Sequence, residues 1–577
     1  MKNISLTLLI FSAFFLPTFS QTPYWKWAKH TGGIGYDEAG ALLMNNDSNL
    51  IVTGFFQGTG WFPSDTLTAG GSFAMFIAEY TRSGEMLWVK HVADASGGIE
   101  PHQIFQDASG NYYITGTFGA YSWGGAVTFF PATAFTSLGN KDIFIAKFNP
   151  AGTLLWAQAI QSTEEPNTTF VADMDTNGKM WIAGRMFDRT IFTNPVNDTL
   201  YEDSKYHIFL SCYNASGLLT ANSKVITNNS ATDPQGIEAG VNDDVFLAGY
   251  YYNRQLFGIE PDTFSIPGPG FYPDIFTAKF SAGGVHPEWA VGSGGEFSSD
   301  MVTSLDRTTE GKLILTGEYT LGPVAINSTT PAPISLTTSS AIEIFIAQYD
   351  TLGIAHWAKN AGHSSTSSGI VVNDACIGND NKIYLTGNYT GTATFGESPS
   401  VINISDMDEL FVAEYAADGA IQWAQHGGSG YGENSYSVAN DDYGFAYIAG
   451  TFTSAAVFDS TSTLDITLYS YGYSDILVAK VGAGDDGTVG DKELKMDNGQ
   501  WLIYPNPANN KFHIQSKVSS HKCTVTLINS FGQVVFKISS IDNQKTDIDV
   551  SALCSGIYSV FIQDGNNYFT SKIVISH

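Results

Sequence analysis

The heptapeptide LIVTGFF, residues 50–56, governs the reading of the fold because it returns as YYITGTF (112–118), MWIAGRM (180–186), VFLAGYY (245–251), LILTGEY (313–319), IYLTGNY (383–389) and AYIAGTF (446–452). Its glycines, Gly54, Gly116, Gly184, Gly249, Gly317, Gly387 and Gly450, stand 62 to 70 residues apart. Self-similarity at a fixed period marks a repeat architecture, in which each unit buries its apolar faces only against its neighbours.

A second anchor follows each glycine: MFIAEY around Ala78, IFIAKF at Ala146, IFLSCY at Ser211, IFTAKF at Ala278, IFIAQY at Ala347, LFVAEY at Ala413 and ILVAKV at Ala479. A third carries Trp27, Trp88, Trp156, Trp289, Trp357 and Trp423, with LLTAN near Thr220 as a degenerate copy. One unit therefore reads strand, Asp- or Asn-bearing turn, glycine strand, long loop, alanine strand, short hairpin, tryptophan strand. Four strands make a propeller blade, and seven copies of the anchors predict seven blades. A tryptophan strand, YWKWAKH (24–30), precedes the first glycine anchor, yet none follows ILVAKV. Pairing the Trp27 strand with the strand around Val478 would close the ring and remove an exposed edge. The repeated Gly and Ala are expected to let adjacent sheets approach closely, and the Trp residues to supply apolar area between blades. His30, His91 and His426 stand at equivalent places after the tryptophan strands, which makes them features of the repeat rather than a single catalytic base.

Composition bounds the partners. Fifty-six acidic against 27 basic side chains give a formal charge of −29. Such a surface repels phosphate backbones and anionic lipid, so neither nucleic acid nor a membrane surface is an expected partner. Residues 1–20 read as a cleavable signal peptide, with Lys2 ahead of an apolar run from Ile4 to Leu16 and small residues at Thr18 and Ser20. That run is short for a membrane span, and no later stretch reaches about 20 apolar residues. The four cysteines do not form a disulfide framework: Cys212 and Cys376 read as small buried residues, and whether Cys523 and Cys554 pair stays open.

After a Gly- and Asp-rich linker at 485–500 the pattern changes to WLIYPNPANNKFHI (501–514), CTVTLINSFGQVVF (523–536), TDIDVSALCSGIYSVFI (546–562) and YFTSKIVISH (568–577). Short alternating strands between Gly, Asn and Pro turns predict a small Ig-like β-sandwich. The run Tyr504, Pro505, Asn506, Pro507, then Phe531-Gly532-Gln533, then Ser555-Gly556-Ile557-Tyr558 resembles the type A C-terminal sorting domain of the type IX secretion system of Bacteroidetes, with Cys554 where that family has proline. The resemblance implies Sec export to the periplasm, passage across the outer membrane, and partners in the type IX machinery and a sortase. The product would then be secreted or held at the outer-membrane surface. DIFIAKF and YYITGTF are also similar to the repeats of bacterial seven-bladed β-propeller repeat proteins, a resemblance that implies a scaffold and no common reaction. The expected organisation is an all-β chain: signal peptide 1–20, a seven-bladed β-propeller at 21–484 closed by its N-terminal strand, linker 485–500, and a sorting sandwich at 501–577.

Function must then lie in loops. The glycine-to-alanine connections and the Gly-rich blade-to-blade loops HTGGIGYDEA, VGSGGEFSSD and HGGSGYGENS carry Trp61, Tyr121, Trp123, Phe271, Tyr272, Tyr469, Tyr471 and Tyr473 beside Asp37, Glu38, Asp300 and Glu433. Aromatics next to carboxylates suit a sugar or a peptide. Among them Asp37, Trp61, Tyr121, Trp123, Asp300, Glu433 and Tyr471 are the candidate ligand-binding residues. Asp173, Asp175 and Asn177 followed by Gly178 spell D-x-D-x-N-G, a string that offers oxygen ligands to calcium and is more often a plain Asx turn. No cofactor is otherwise expected. No G-x-S-x-G elbow, H-E-x-x-H helix or P-loop occurs. A secreted binding or adhesion module for a carbohydrate or protein therefore ranks first. A carbohydrate-active hydrolase or lyase is the second reading, since paired carboxylates suit glycoside hydrolysis. A surface scaffold without a ligand is the third.

Overall fold

A computed structural model describes residues 23–483 and 501–575, short stretches between strands excepted. The expected signal peptide and linker lie outside the described residues. The chain divides into two compact units, Met1–Gly484 and Asp485–His577. Among the described residues, every regular element but one 3-10 turn, Val241–Asp243, is a β-strand.

The first repeat lays down Glu38–Met44, Leu50–Phe56, Phe73–Tyr80 and Met86–Ala95 as an antiparallel sheet in that order: inner, glycine, alanine and tryptophan strands. The pattern recurs through the first unit as a propeller-like, all-β array. The segment expected to be a long loop is instead a hairpin, and it leaves its own repeat. Ala126–Phe129 and Thr133–Thr136, from the second repeat, extend the first repeat's sheet beyond Met86–Ala95. Thr190–Phe192, Gln255–Ile259, Thr392–Phe395 and Ala455–Phe458 likewise each join the preceding sheet. Most sheets thus have six strands where four were expected. The physical reason is edge protection: a four-stranded sheet would leave the outer backbone groups of its tryptophan strand without partners. In the fifth repeat the joint shrinks to one bridge, Gly294 to Ala325.

The Tyr24–Gly33 strand pairs antiparallel with Asp475–Gly482, setting Ala28 opposite Ala479 and Lys29 opposite Val478. Thr59–Phe62 joins the same sheet through Gly32 and Trp61. The inner strands surround one cavity of about 730 Å³, lined by residues 38–42, 100–105, 170, 303, 373–375 and 436–438.

The anchor glycines serve the inside of a sheet rather than the space between sheets, a correction to the expectation above. A Cβ on Gly116 would lie 2.6 Å from the Phe144 ring, and one on Gly317 would lie 2.8 Å from Phe345. A phenylalanine of the alanine strand covers the glycine in every sheet but the last, where Leu477 stands opposite Gly450, and an inner-strand carbonyl closes from the other side of Gly54, Gly116, Gly249, Gly317, Gly387 and Gly450. Contact between sheets falls to tryptophan. The Trp27, Trp156 and Trp289 rings lie against Gly84, Gly217 and Gly353 of the next repeat's hairpin, where a Cβ would stand 2.9, 2.7 and 2.9 Å from the indole. Each indole N–H donates to the carbonyl two residues ahead of that glycine: Arg82 at 3.0 Å, Ala215 at 3.2 Å and Thr351 at 3.2 Å.

The second unit sets Trp501–Tyr504, Lys511–Ser516 and Lys545–Asp549 in one sheet, and Val534–Ile541, Cys523–Ile528, Gly556–Asp564 and Asn567–Ile575 in another. Phe512, Ile514, Val525, Leu527, Ile548 and Val560 form their shared core. Among the sorting residues, Tyr504 ends the first strand, Gly556 opens another, and the Tyr558 hydroxyl donates to the Cys554 carbonyl at 2.8 Å. Pro505, Asn506, Pro507 and Gly532 lie outside the described residues. Cys212, Cys376 and Cys554 are free thiols.

The tryptophan seat can be separated from backbone strain. Gly217 (φ +78°) and Gly311 (φ +81°) share a left-handed backbone, but only the first faces an indole; a Cβ on Gly311 would meet open space. Gly311→Ala should cost about 1 kcal/mol of strain, and Gly217→Ala about 2–4 kcal/mol because Trp156 must also move. Equal losses in denaturant titrations would show that the seat contributes nothing.

Candidate functional site

Around the first Gly-rich loop the chain builds a surface that differs from the rest of the array. Residues 31–37 must turn from the Tyr24–Gly33 strand into the inner strand Glu38–Met44, and buried polar groups hold that turn. The Asp37 carboxylate accepts the Gly33 N–H, and through Oδ1 the Gln57 N–H at 2.9 Å. The Asp37 N–H donates to Ser474 Oγ at 3.2 Å, and Thr31 Oγ1 donates to the Trp61 carbonyl at 2.6 Å. Asp475 pairs with His30 Nδ1 at 2.8 Å and accepts the Tyr471 N–H at 3.1 Å. These bonds tie the loop, the Thr59–Phe62 hairpin and residues 471–475 into one piece.

Above this base stand aromatic rings. Tyr36 and Tyr473 stack with centroids 5.0 Å apart and planes 10° from parallel. Tyr471 meets the Trp61 ring edge-on at 5.6 Å and covers His30 at 4.9 Å. Exposure is 50% for Tyr36, 43% for Trp61, 54% for Tyr471 and 67% for Tyr473. Exposed Ile34 completes the patch, its backbone against Gly472. Rings held open to water on a hydrogen-bonded base can take the C–H face of a flat ligand at small entropic cost.

Of the sequence candidates, the structure brings Trp61 and Tyr471 together on this patch. The carboxylates lie beneath it or elsewhere. Asp37, Asp300 and Glu433 are buried at equivalent places where their inner strands begin. Asp300 accepts the Gly295 N–H at 2.9 Å and the Ser298 hydroxyl, so it braces its loop as Asp37 does. Tyr121, Trp123 and Phe271 lie outside the described residues, and Tyr272 is exposed away from the contacts given above. Asp173 and Asp175 do not converge: Asp173 accepts the Ala239 N–H at 2.7 Å, while Asp175 accepts the N–H groups of Asn177 and Lys179 at 2.9 and 2.8 Å in an Asx turn. Among the described residues no three His, Cys, Asp or Glu side chains are grouped to hold a metal. His30, His91 and His426 each face a carboxylate, Asp475 at 2.8 Å, Asp94 at 2.8 Å and Glu409 at 2.5 Å. Sequence reasoning missed Tyr36 and Ile34, whose only signal was an apolar-x-aromatic step inside a glycine-rich loop.

Residues 502–576 match the family model of the secretion system C-terminal sorting domain. That tail implies export to the cell surface or beyond. Over 515 residues, 75% of its length, the chain is 23% identical to an uncharacterised WD repeat-containing protein of Acanthamoeba polyphaga mimivirus, of which it spans 36%. The chain thus covers about a third of the curated relative it matches. Solved structures similar to it include a protein of unknown function from Dyadobacter fermentans (8% identity, 79% of this chain and 99% of that one, TM-score 0.31) and an ulvan lyase of a polysaccharide lyase family (9% identity, 73% and 93%, TM-score 0.34). At such scores the description of the fold rests on strand order.

The buried carboxylates have a consequence for stability. Burial pushes Asp37 from 3.8 up to about 6, and Asp274 and Asp300, which also face each other, up to about 7. Between about pH 4 and 7 the native chain then holds protons that the unfolded chain has released, so their stabilising contribution is full at low pH and is lost as pH rises through 7. The melting midpoint should therefore rise when the pH is lowered from 8 to 5.5. A midpoint that is flat or falling over that interval would contradict the protonation of these groups.

Proposed function

We propose that the chain is an exported β-propeller binding module whose seven sheets form one ring, closed by the Tyr24–Gly33 strand, and whose ligand is a neutral glycan taken up on the Tyr36–Tyr473 platform. The observation that carries the ligand assignment is the pair of stacked, half-exposed tyrosines beside Trp61 and Tyr471. Sugars offer flat C–H faces to aromatic rings and hydroxyls to the phenol oxygens. With a formal charge of −29, the protein repels polyanionic glycans, which leaves neutral ones. Residues 501–577 are the part read by the type IX machinery and its sortase.

Two observations support the ring. The hydrogen-bonded pairing of Tyr24–Gly33 with Asp475–Gly482 joins the two ends of the array, and the Leu42 N–H donates to Ser437 Oγ at 3.3 Å, joining the first inner strand to the last. Removing residues 24–31 should lower the melting midpoint and give soluble oligomers on sizing, because the last sheet loses buried Trp25 and exposes an edge. Removing 485–491 is the control and should leave both unchanged. If the two deletions behave alike, the blade boundaries must be redrawn.

For the ligand, a glycan array screened with the mature protein should give hits among neutral glycans. Trp61→Ala and Tyr473→Ala should each weaken binding of the hit by about tenfold, the worth of one stacked aromatic contact. Hits that bind both variants like the parent, or an array without hits, would remove the platform from consideration.

A further inference from the structure

The cavity between the inner strands is separate from the surface platform, and its walls are built differently. Six inner strands carry a β-bulge at the same place, between the partners of the anchor glycine and of the residue before it: at Gly40, His102, Gln235, Thr303, Asn373 and Tyr436. All of these but Gln235 line the cavity. A bulge takes one residue out of the ladder and re-aims its side chain, so four of the repeats point one polar group each at the central space. A volume of about 730 Å³ falls among small-molecule sites, which run from roughly 300 to 1,000 Å³.

The charges there are unbalanced in one direction. Three carboxylates line the space. Asp374 is satisfied by the N–H groups of Ala375 and Val438 at 2.9 and 2.8 Å. Glu100 holds Lys141 Nζ at 2.7 Å from both oxygens. The Glu38 side chain has no hydrogen bond or ion pair with any described residue. Burial pushes its carboxyl upward, as do the like charges of Glu100 and Asp37, and Tyr436 lies within its field. Burial holds His102 below its ordinary range, as a neutral imidazole stacked edge-on against Phe170 at 5.6 Å. The lining thus combines a half-buried carboxylate without a counter-ion, aromatic rings, and neutral hydrogen-bonding groups in His102 and Asn373. An anion would meet like charge, and an apolar guest would leave Glu38 desolvated and unpaired.

We infer that this central cavity binds a small hydroxylated amine of the amino-sugar class, its ammonium on Glu38 with the Tyr436 ring beside it and its hydroxyls on His102 and the Asn373 amide oxygen. Carboxylate contact and cation–π attraction act on the same charged group, and the neutral side chains around it set the orientation.

Titration calorimetry of the full exported chain with glucosamine, N-acetylglucosamine and glucuronate tests this directly. Glucosamine should bind, N-acetylglucosamine should bind at least about tenfold more weakly because it lacks the charge, and glucuronate should not bind. Glu38→Gln preserves the shape and should lower glucosamine affinity by about tenfold or more, whereas Trp61→Ala should leave it unchanged. The comparison of the two sugars on the parent protein stands even if Glu38→Gln does not fold. Equal affinity for glucosamine and N-acetylglucosamine, no glucosamine binding at millimolar concentration, or parent-like binding by a folded Glu38→Gln protein would overturn the assignment. Loss of glucosamine binding in Trp61→Ala would instead assign it to the surface platform.

Discussion

The seat of an indole on a glycine of the next repeat is the contact on which the array depends. Propeller-like sheets share no backbone hydrogen bonds across their faces, so side-chain packing must set the angle and spacing between them. Trp27, Trp156 and Trp289 each lie flat on a hairpin glycine and close the same hairpin with the indole N–H. Any side chain at that glycine would lift the ring and break the hydrogen bond together. The seat therefore couples a large buried area to a directional bond, which apolar contact alone does not supply. The clasp hairpins add the backbone part of the joint, since each belongs covalently to one repeat and by hydrogen bonding to the one before.

With that joint fixed, polar residues are distributed by necessity. Buried acids at strand starts supply acceptors to neighbouring turns: Asp475 and Asp142, on alanine strands, accept from Tyr471 and from Ser162 and Leu138, and Asp300, on an inner strand, accepts from Gly295. Several of these acids are pushed well above the ordinary carboxylate range by burial. They brace loops at a cost in stability at neutral pH, and one of the loops so braced carries the stacked tyrosines.

The repeat period, the order of the anchors and the strand that joins Trp27 to the Val478 region were legible in the sequence, because each follows from strings such as LIVTGFF that recur with little change. The hairpins were not. Their strands do share a phenylalanine, eight residues past five of the anchor glycines at Phe62, Phe192, Phe257, Phe395 and Phe458, but a single apolar residue in a stretch of three to five does not mark a strand, and their partners are backbone groups of another repeat. For the candidate site, the exposed aromatics Trp61 and Tyr471 could be found from loop composition. The roles of Asp37 and Asp300 could not, since a loop carboxylate that faces a ligand and one that closes on its own N–H groups have the same local sequence. The bulges at His102, Asn373 and Tyr436 were equally hidden, because the extra residue is visible only once the register against the glycine strand is known.

Function in such an array belongs to the positions that the joint does not constrain. The anchor glycines and, in most repeats, the covering phenylalanines and seated tryptophans are held by close packing. Two kinds of position are exempt. Loop tips beyond the buried acids face water, and bulged residues face the central space, where no neighbouring sheet packs. The first set holds Tyr36, Tyr471 and Tyr473; the second holds His102, Thr303, Asn373 and Tyr436. At the bulge the residue type changes from repeat to repeat while the backbone geometry does not, as glycine, histidine, glutamine, threonine, asparagine and tyrosine in turn. A fold that repeats its scaffold and varies these side chains presents an asymmetric lining to a ligand from a nearly symmetric frame. Recognition of one small molecule requires that asymmetry, and a strictly repeated ring could not provide it.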